Sequence, residues 1–129
     1  MSNHPQSSNI EKAFDPTFIT SDSNAQAMIQ FCEQLGGELG KMSSSQIRRA
    51  YGQLKKIEME GWQGDTTYRK ILLLKPQLAY AAQRHKDVKP LKNVLEKAID
   101  AIDNNGDNFK RFCEFFEAIL AYHKAKGGS

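Results

Sequence analysis

The 129-residue chain is sparing with the residues that mark most chemical and cellular classes. It holds two cysteines, Cys32 and Cys113, in no CxxC arrangement, so neither a disulfide framework nor a paired-thiol metal site is indicated and reduced core thiols are expected. Its three histidines, His4, His85 and His123, show no HxxxH spacing, and no metal or cofactor is expected. No apolar run approaches the roughly 20 residues that cross a bilayer; the aliphatic run Ile71–Leu74 holds four. A membrane partner is therefore not expected. The N-terminus, Met1-Ser2-Asn3-His4-Pro5-Gln6-Ser7-Ser8-Asn9, has neither a basic n-region nor an apolar h-region, so a secretory signal is not expected and the cytoplasm is the expected location. A Gly-rich phosphate loop and a Gly-x-Ser-x-Gly elbow are also missing.

What is present is helical periodicity. Residues 1–22, rich in Ser, Asn, Asp and Pro, read as a flexible tail, part of which docks through Phe14 and Phe18. Residues 23–129 read as one helical domain. A first helix over about 25–39 carries Ala25, Met28, Ile29, Cys32, Leu35 and Leu39 at helical spacing, with its end blurred by Gly36-Gly37. Ser43-x-x-Gln46 is a capping box for a second helix running to Glu60, where Gly61 stops it. A third, capped by Asp65, holds Ile71, Leu72, Leu73 and Leu74 on all sides, which predicts burial on several faces and a central position, with Pro76 kinking or restarting it. The fourth follows Asp87 and Pro90 and buries Leu91, Val94, Leu95, Ala98, Ile99 and Ile102, ending at Asn104-Asn105-Gly106. The fifth runs over about Asn108–Lys126 and buries Phe109, Phe112, Cys113, Phe116, Ile119, Leu120 and His123, the last as a hydrogen-bonded core histidine. No segment alternates with period two. The predicted fold is an all-α bundle of about five helices.

Charge is unevenly spread. Between Lys41 and Lys92 there are 12 Lys and Arg against four acids, whereas the remainder has six basic and 11 acidic residues. On a wheel of the second helix, Ile47, Ala50, Tyr51, Leu54 and Ile57 form the core face, and Arg48, Arg49, Lys55 and Lys56 form an opposite arc centred on Gly52. Glu58 and Glu60 lie off that arc, so intrahelical pairing is not expected to neutralise it and a polyanion is one fitting partner. A glycine at the centre costs about 1 kcal/mol of helix propensity, and close approach of the backbone to a phosphate is one reason for it. A solvated surface helix is the alternative. Lys41, Lys75 and Arg84 extend the candidate cationic surface. Tyr51 and Tyr80 are read first as helix-packing residues and second as platforms for bases. His85 has no titratable partner placed by spacing, so acid–base chemistry is not assembled and an enzyme is not expected.

Three stretches carry a resemblance: Ser45-Gln46-Ile47-Arg48-Arg49-Ala50-Tyr51, Leu72-Leu73-Leu74-Lys75-Pro76-Gln77-Leu78-Ala79-Tyr80-Ala81-Ala82-Gln83-Arg84, and Phe109 to Lys124. Over about residues 25–126 the chain resembles the small subunit of the type III-A CRISPR effector (Csm) complex. The resemblance implies a non-catalytic helical subunit in antiviral defence, stacked in several copies of itself beside other subunits, contacting guide RNA and target RNA through the backbone. It carries a basic surface onto Arg48, Arg49, Lys75 and Arg84, to which the wheel and the charge count add Lys41, Lys55 and Lys56. Guide pairing supplies sequence choice in such effectors, so the protein need recognise only backbone and shape. A protein–protein scaffold without RNA contact remains the competing expectation.

Overall fold

Apolar residues recurring every three to four positions leave a chain of this kind one way to bury them, which is helix against helix. A computed structural model describes residues 6–129, and among them lie eight α-helices, two 3₁₀ turns and no strand. They are α1 (Gln6–Lys12), α2 (Thr17–Thr20), α3 (Ala25–Glu38), α4 (Arg48–Glu60), α5 (Asp65–Leu72), α6 (Leu74–Arg84), α7 (Lys89–Ile102) and α8 (Gly106–Ala125). The five expected helices correspond to α3, α4, α5 with α6, α7 and α8. No helix among the described residues is long and apolar enough to cross a membrane.

The central element is α8, not the helix around Ile71–Leu74. Its 20 residues span about 30 Å, and it packs against α2, α3, α4 and α7. Phe109, Phe112, Cys113, Phe115, Phe116, Ile119 and His123 are all buried along it. Contact with α3 is closest at Gly36, where a Cβ would stand 2.7 Å from the backbone nitrogen of His123 and 2.8 Å from Tyr122 Cβ. The glycine pair that blurred the helix end is thus helical, and Gly36 is there because the two backbones nearly touch. His123 is buried as expected, but its ring nitrogens find no hydrogen-bond partner among the described residues. The Gly127–Gly128 turn lies against the ring, and the Gly128 N–H is taken by the carbonyl of His123 at 2.9 Å.

The N-terminal segment joins the same core. Ile10, Phe18 and Ile19 are buried, and the docking expected of Phe14 and Phe18 is realised in a four-ring cluster with Phe31 of α3 and Phe115 of α8, where the Phe14–Phe18 and Phe31–Phe115 centroids are 5.7 and 5.9 Å apart. Arg111 of α8 fastens this segment by donating from Nε to the Ile19 carbonyl at 2.7 Å and from Nη1 to Asp22 at 2.6 Å. Packing therefore extends ahead of residue 23, where the tail was expected to give way to the domain. Polar composition hid this, because three buried apolar residues suffice to dock so short a segment. Residues 1–5 of the expected tail, with His4, lie outside the described residues.

Local signals account for most boundaries. The capping box is formed, with the Ser43 N–H donating to Gln46 Oε1 at 3.1 Å and the Ser45 N–H donating to Ser43 Oγ at 3.3 Å, but it opens the 3₁₀ turn Ser44–Ile47 that leads into α4. All six expected core residues of α7 are buried. Asp103 and Asn104 adopt φ of 50°, a left-handed conformation that Asp and Asn tolerate. Asn105 then caps α8, accepting the Asn108 N–H at 2.9 Å, so that helix starts two residues earlier than expected. Asp65 does not cap α5; its carboxylate accepts from Asn104 at 2.8 Å. The run Ile71–Leu74 is buried at its two ends only, with Leu72 and Leu73 37% and 52% exposed. The helix breaks at Leu73, and Pro76 sits in the first turn of α6, where its missing N–H is tolerated. Split in this way, α5 and α6 lie at the periphery against α4 and α7.

Two outcomes follow from this packing. Leu74→Ala lowers unfolding free energy by about 2–5 kcal/mol through lost burial and a cavity, while Leu73→Ala stays within about 0.5 kcal/mol, as chemical denaturation would measure. Gly36→Ala destabilises by about 1–3 kcal/mol despite its gain in helix propensity, because the backbones must separate. Gly37→Ala, whose Cβ would meet only the flexible end of Lys126, is near neutral or stabilising.

Candidate nucleic-acid interface

Immediately after the capping box, α4 presents Arg48 and Arg49 as its first two residues, both exposed and neither in a salt bridge among the described residues. Consecutive helical positions point about 100° apart, and the two guanidinium groups accordingly border different grooves. Arg49 lines a groove of about 440 Å³ between α4 and α6, with Gln77, Tyr80, Arg84 and His85 on the opposite wall. Among the described residues no carboxylate lines it. Arg48 lines a second groove of about 360 Å³ between α4 and α8, which includes Tyr51, Leu120 and Lys124 but also Glu117. The first groove is thus uniformly cationic, and the second is of mixed sign.

The remaining candidate cations are placed less uniformly. Lys55 lies between two carboxylates, 2.7 Å from Glu58 one turn along its own helix and 2.7 Å from Glu117 of α8. The expectation that intrahelical pairing leaves the arc unneutralised does not hold for Lys55. The wheel placed Glu58 off the arc, yet an i,i+3 reach closes the distance, and Glu117 arrives from a helix that local spacing cannot see. These hydrogen bonds, the one donated to Glu117 first, push the Lys55 ammonium above its ordinary pKa. The same bond holds the Glu117 carboxyl below the usual carboxylate range. Lys75 is paired with Asp100 of α7. Lys56 is exposed and forms no salt bridge among the described residues. Lys41 stands apart, in a shallow groove between the end of α3 and the start of α7 with Lys86 and Asp87. The structure therefore gathers Arg49 with Arg84, sets Arg48 beside them on α4, and separates Lys41, Lys55 and Lys75 from that centre.

The aromatic candidates divide. Tyr51 packs edge-on against Phe116 at 5.2 Å, as expected. Tyr80, read first as a packing residue, is 60% exposed, with the Arg84 guanidinium carbon 5.8 Å from its ring centroid and Nη1 donating to its hydroxyl at 3.3 Å. The i,i+4 spacing of Tyr80 and Arg84 was a visible signal for that pair. His85 lines the same groove without an acidic partner there. Cys32 and Cys113 are free and buried, and desolvation pushes both thiols up to about 12, so little thiolate exists at neutral pH. Among the described residues no group of three or more His, Cys, Asp or Glu is placed to hold a metal ion.

The Glu117 carboxylate, more acidic folded than unfolded, contributes stability above the ordinary carboxylate range, and this is lost as pH falls through its folded pKa. With its side chain 53% exposed, the pair is screened. Glu117→Gln lowers stability by less than about 1 kcal/mol at neutral pH, and denaturation curves converge with those of the parent chain as pH falls through the lowered folded pKa of Glu117.

The family described as Csm2 Type III-A matches residues 22–129. Comparison with curated proteins and with solved structures gives no match.

Proposed function

The chain belongs to the Csm2 type III-A family, and from that membership we propose that it is the non-catalytic RNA-binding small subunit of the effector, holding the backbone of guide and target RNA without reading sequence. Family membership itself makes it a small subunit of the type III-A CRISPR effector, with other subunits of that complex as partners. RNA contact, stacking of several copies, the absence of catalysis and a cytoplasmic location belong to the proposal.

The observation that carries it is the convergence of Arg49 and Arg84, from two helices, on one groove lined by no carboxylate, with Arg48 beside them. Two guanidinium groups lining one groove with no carboxylate among its described lining residues make that groove positive, and a phosphate answers it with hydrogen bonds as well as charge. A backbone-binding role needs cations but no nucleophile or acid–base pair. One feature favours the scaffold reading as an accompaniment: Met59 is 86% exposed and Leu73 52% exposed, an amount of apolar side chain in water that neighbouring subunits would cover.

With Arg48, Arg49, Lys56 and Arg84 as contacts, log K against log salt falls with a slope of roughly −3. Replacing Arg48 and Arg49 together by alanine reduces that slope by about one to two units and weakens all RNA sequences alike. Lys75→Ala does less, since Asp100 already neutralises that ammonium. Fluorescence anisotropy across a salt series measures both. A folded Arg48/Arg49 double variant with unchanged affinity and slope would transfer the case to the scaffold.

A further inference from the structure

The groove between α4 and α6 carries features that backbone binding does not use. Among the described residues Tyr80 is the only tyrosine that counts as an exposed large hydrophobic residue, and it stands where the sequence motif and the cationic groove meet. Its neighbour Arg84 rests over the ring and donates to the hydroxyl, which restrains the ring while a guanidinium retains further donors for another group. One turn earlier on the same face, Gln77 also lines the groove. Ala50, Pro76 and Ala81 add short apolar wall, and the volume of about 440 Å³ falls within the range of small-ligand clefts.

We propose that this groove takes one unpaired nucleobase of an RNA strand, stacked on Tyr80, with the adjoining phosphate held by Arg49 and Arg84. An exposed aromatic ring beside two guanidinium groups matches two parts of a nucleotide, its flat face and its phosphate. Every base has a π-face, so stacking on Tyr80 leaves the site indifferent to sequence. Duplex RNA fits poorly, because its base faces are already stacked. An acidic peptide satisfies the guanidinium groups, but it lacks a planar face to stack on the ring. The inference rests on the RNA-binding reading above and sharpens it from backbone in general to a single-stranded nucleotide at a named site.

The test measures binding of the full chain to a short labelled single-stranded RNA and to the same strand annealed to its complement, using the parent chain, Tyr80→Ala, Tyr80→Phe and the Arg48/Arg49 double alanine variant. Tyr80 is exposed, so Tyr80→Ala keeps the fold, which circular dichroism checks. Tyr80→Ala lowers affinity for the single strand by about 5- to 100-fold, as expected for one lost base–aromatic stack, with an unchanged salt slope and unchanged duplex affinity. Tyr80→Phe retains binding, and a 2-aminopurine strand is quenched by the parent chain but not by Tyr80→Ala. Equal binding of the single strand by parent and Tyr80→Ala overturns the stacking site, as does an equal loss on single strand and duplex. In either case, a diminished salt slope in the Arg48/Arg49 variant leaves the wider RNA reading standing. A parent chain that binds neither RNA overturns both.

Discussion

The close approach of α3 to α8 at Gly36 is the constraint from which the rest of the packing follows. With the two backbones nearly in contact, the inner face of α8 is drawn into the middle of the bundle, and Phe112, Phe115 and Phe116 fan across that face with 1% exposure or less, while Lys110, Glu114, Glu117, Ala121 and Lys124 stay exposed on the other. A stripe of aromatic rings that wide needs more than one neighbour to cover it. The seam beside α3 is closed by Phe14 and Phe18 from the N-terminal segment, and the other sides by α7 and α4. Residues 10–22, polar-looking as they are, are therefore recruited by the geometry of α8 rather than by any strong helical signal of their own, and Arg111 holds them there through backbone and carboxylate contacts.

The seating of α8 also decides which charges on α4 stay available. The side of α4 that turns toward α8 meets Glu117, and Lys55 is consumed in that contact. The side that turns toward α6 meets Arg84 and His85, and no carboxylate lines the groove between them. One helical arc of four cations is thus partitioned by its neighbours into a neutralised part and an uncompensated part. The same happens on α6, where Lys75 faces Asp100 of α7 while Arg84, nine residues on, reaches the groove. A count of basic residues overstates the surface that a polyanion meets.

Where periodicity and local hydrogen bonding decide structure, the sequence was legible. The six core positions of α7 and most of those of α8 could be read from spacing, the Ser43–Gln46 box from its pattern, and Arg48 and Arg49 as neighbouring cations from the wheel. What could not be read depends on partners distant in sequence. Leu72 and Leu73 have the composition of a buried run, but a break in the helix at Leu73 turns them outward. Lys55 has the composition of a free cation, but Glu117 lies 62 residues away. Tyr80 has the composition of a packing residue, but α6 is peripheral and leaves its outer face in water. Each difference arises where tertiary placement overrides a local pattern.

Gly52 follows from the same partition. It sits on the exposed face of α4 midway between the arginine and lysine pairs, and no atom lies within 4 Å of where its Cβ would be. Nothing inside the molecule requires a glycine there, unlike Gly36, where two backbones do. Alanine at an exposed helix interior is favoured over glycine by about 1 kcal/mol, so the glycine weakens α4 at the point where its outer face is otherwise most crowded with charge. A missing side chain lowers that face and leaves Arg49 and Lys56 standing on either side of a shallow backbone floor. A subunit repeated along one RNA needs only a few such contacts per copy, because linked weak sites act through a raised effective concentration. On the proposed reading, modest helix stability and a small uncompensated charge suffice, provided the same face recurs along the strand.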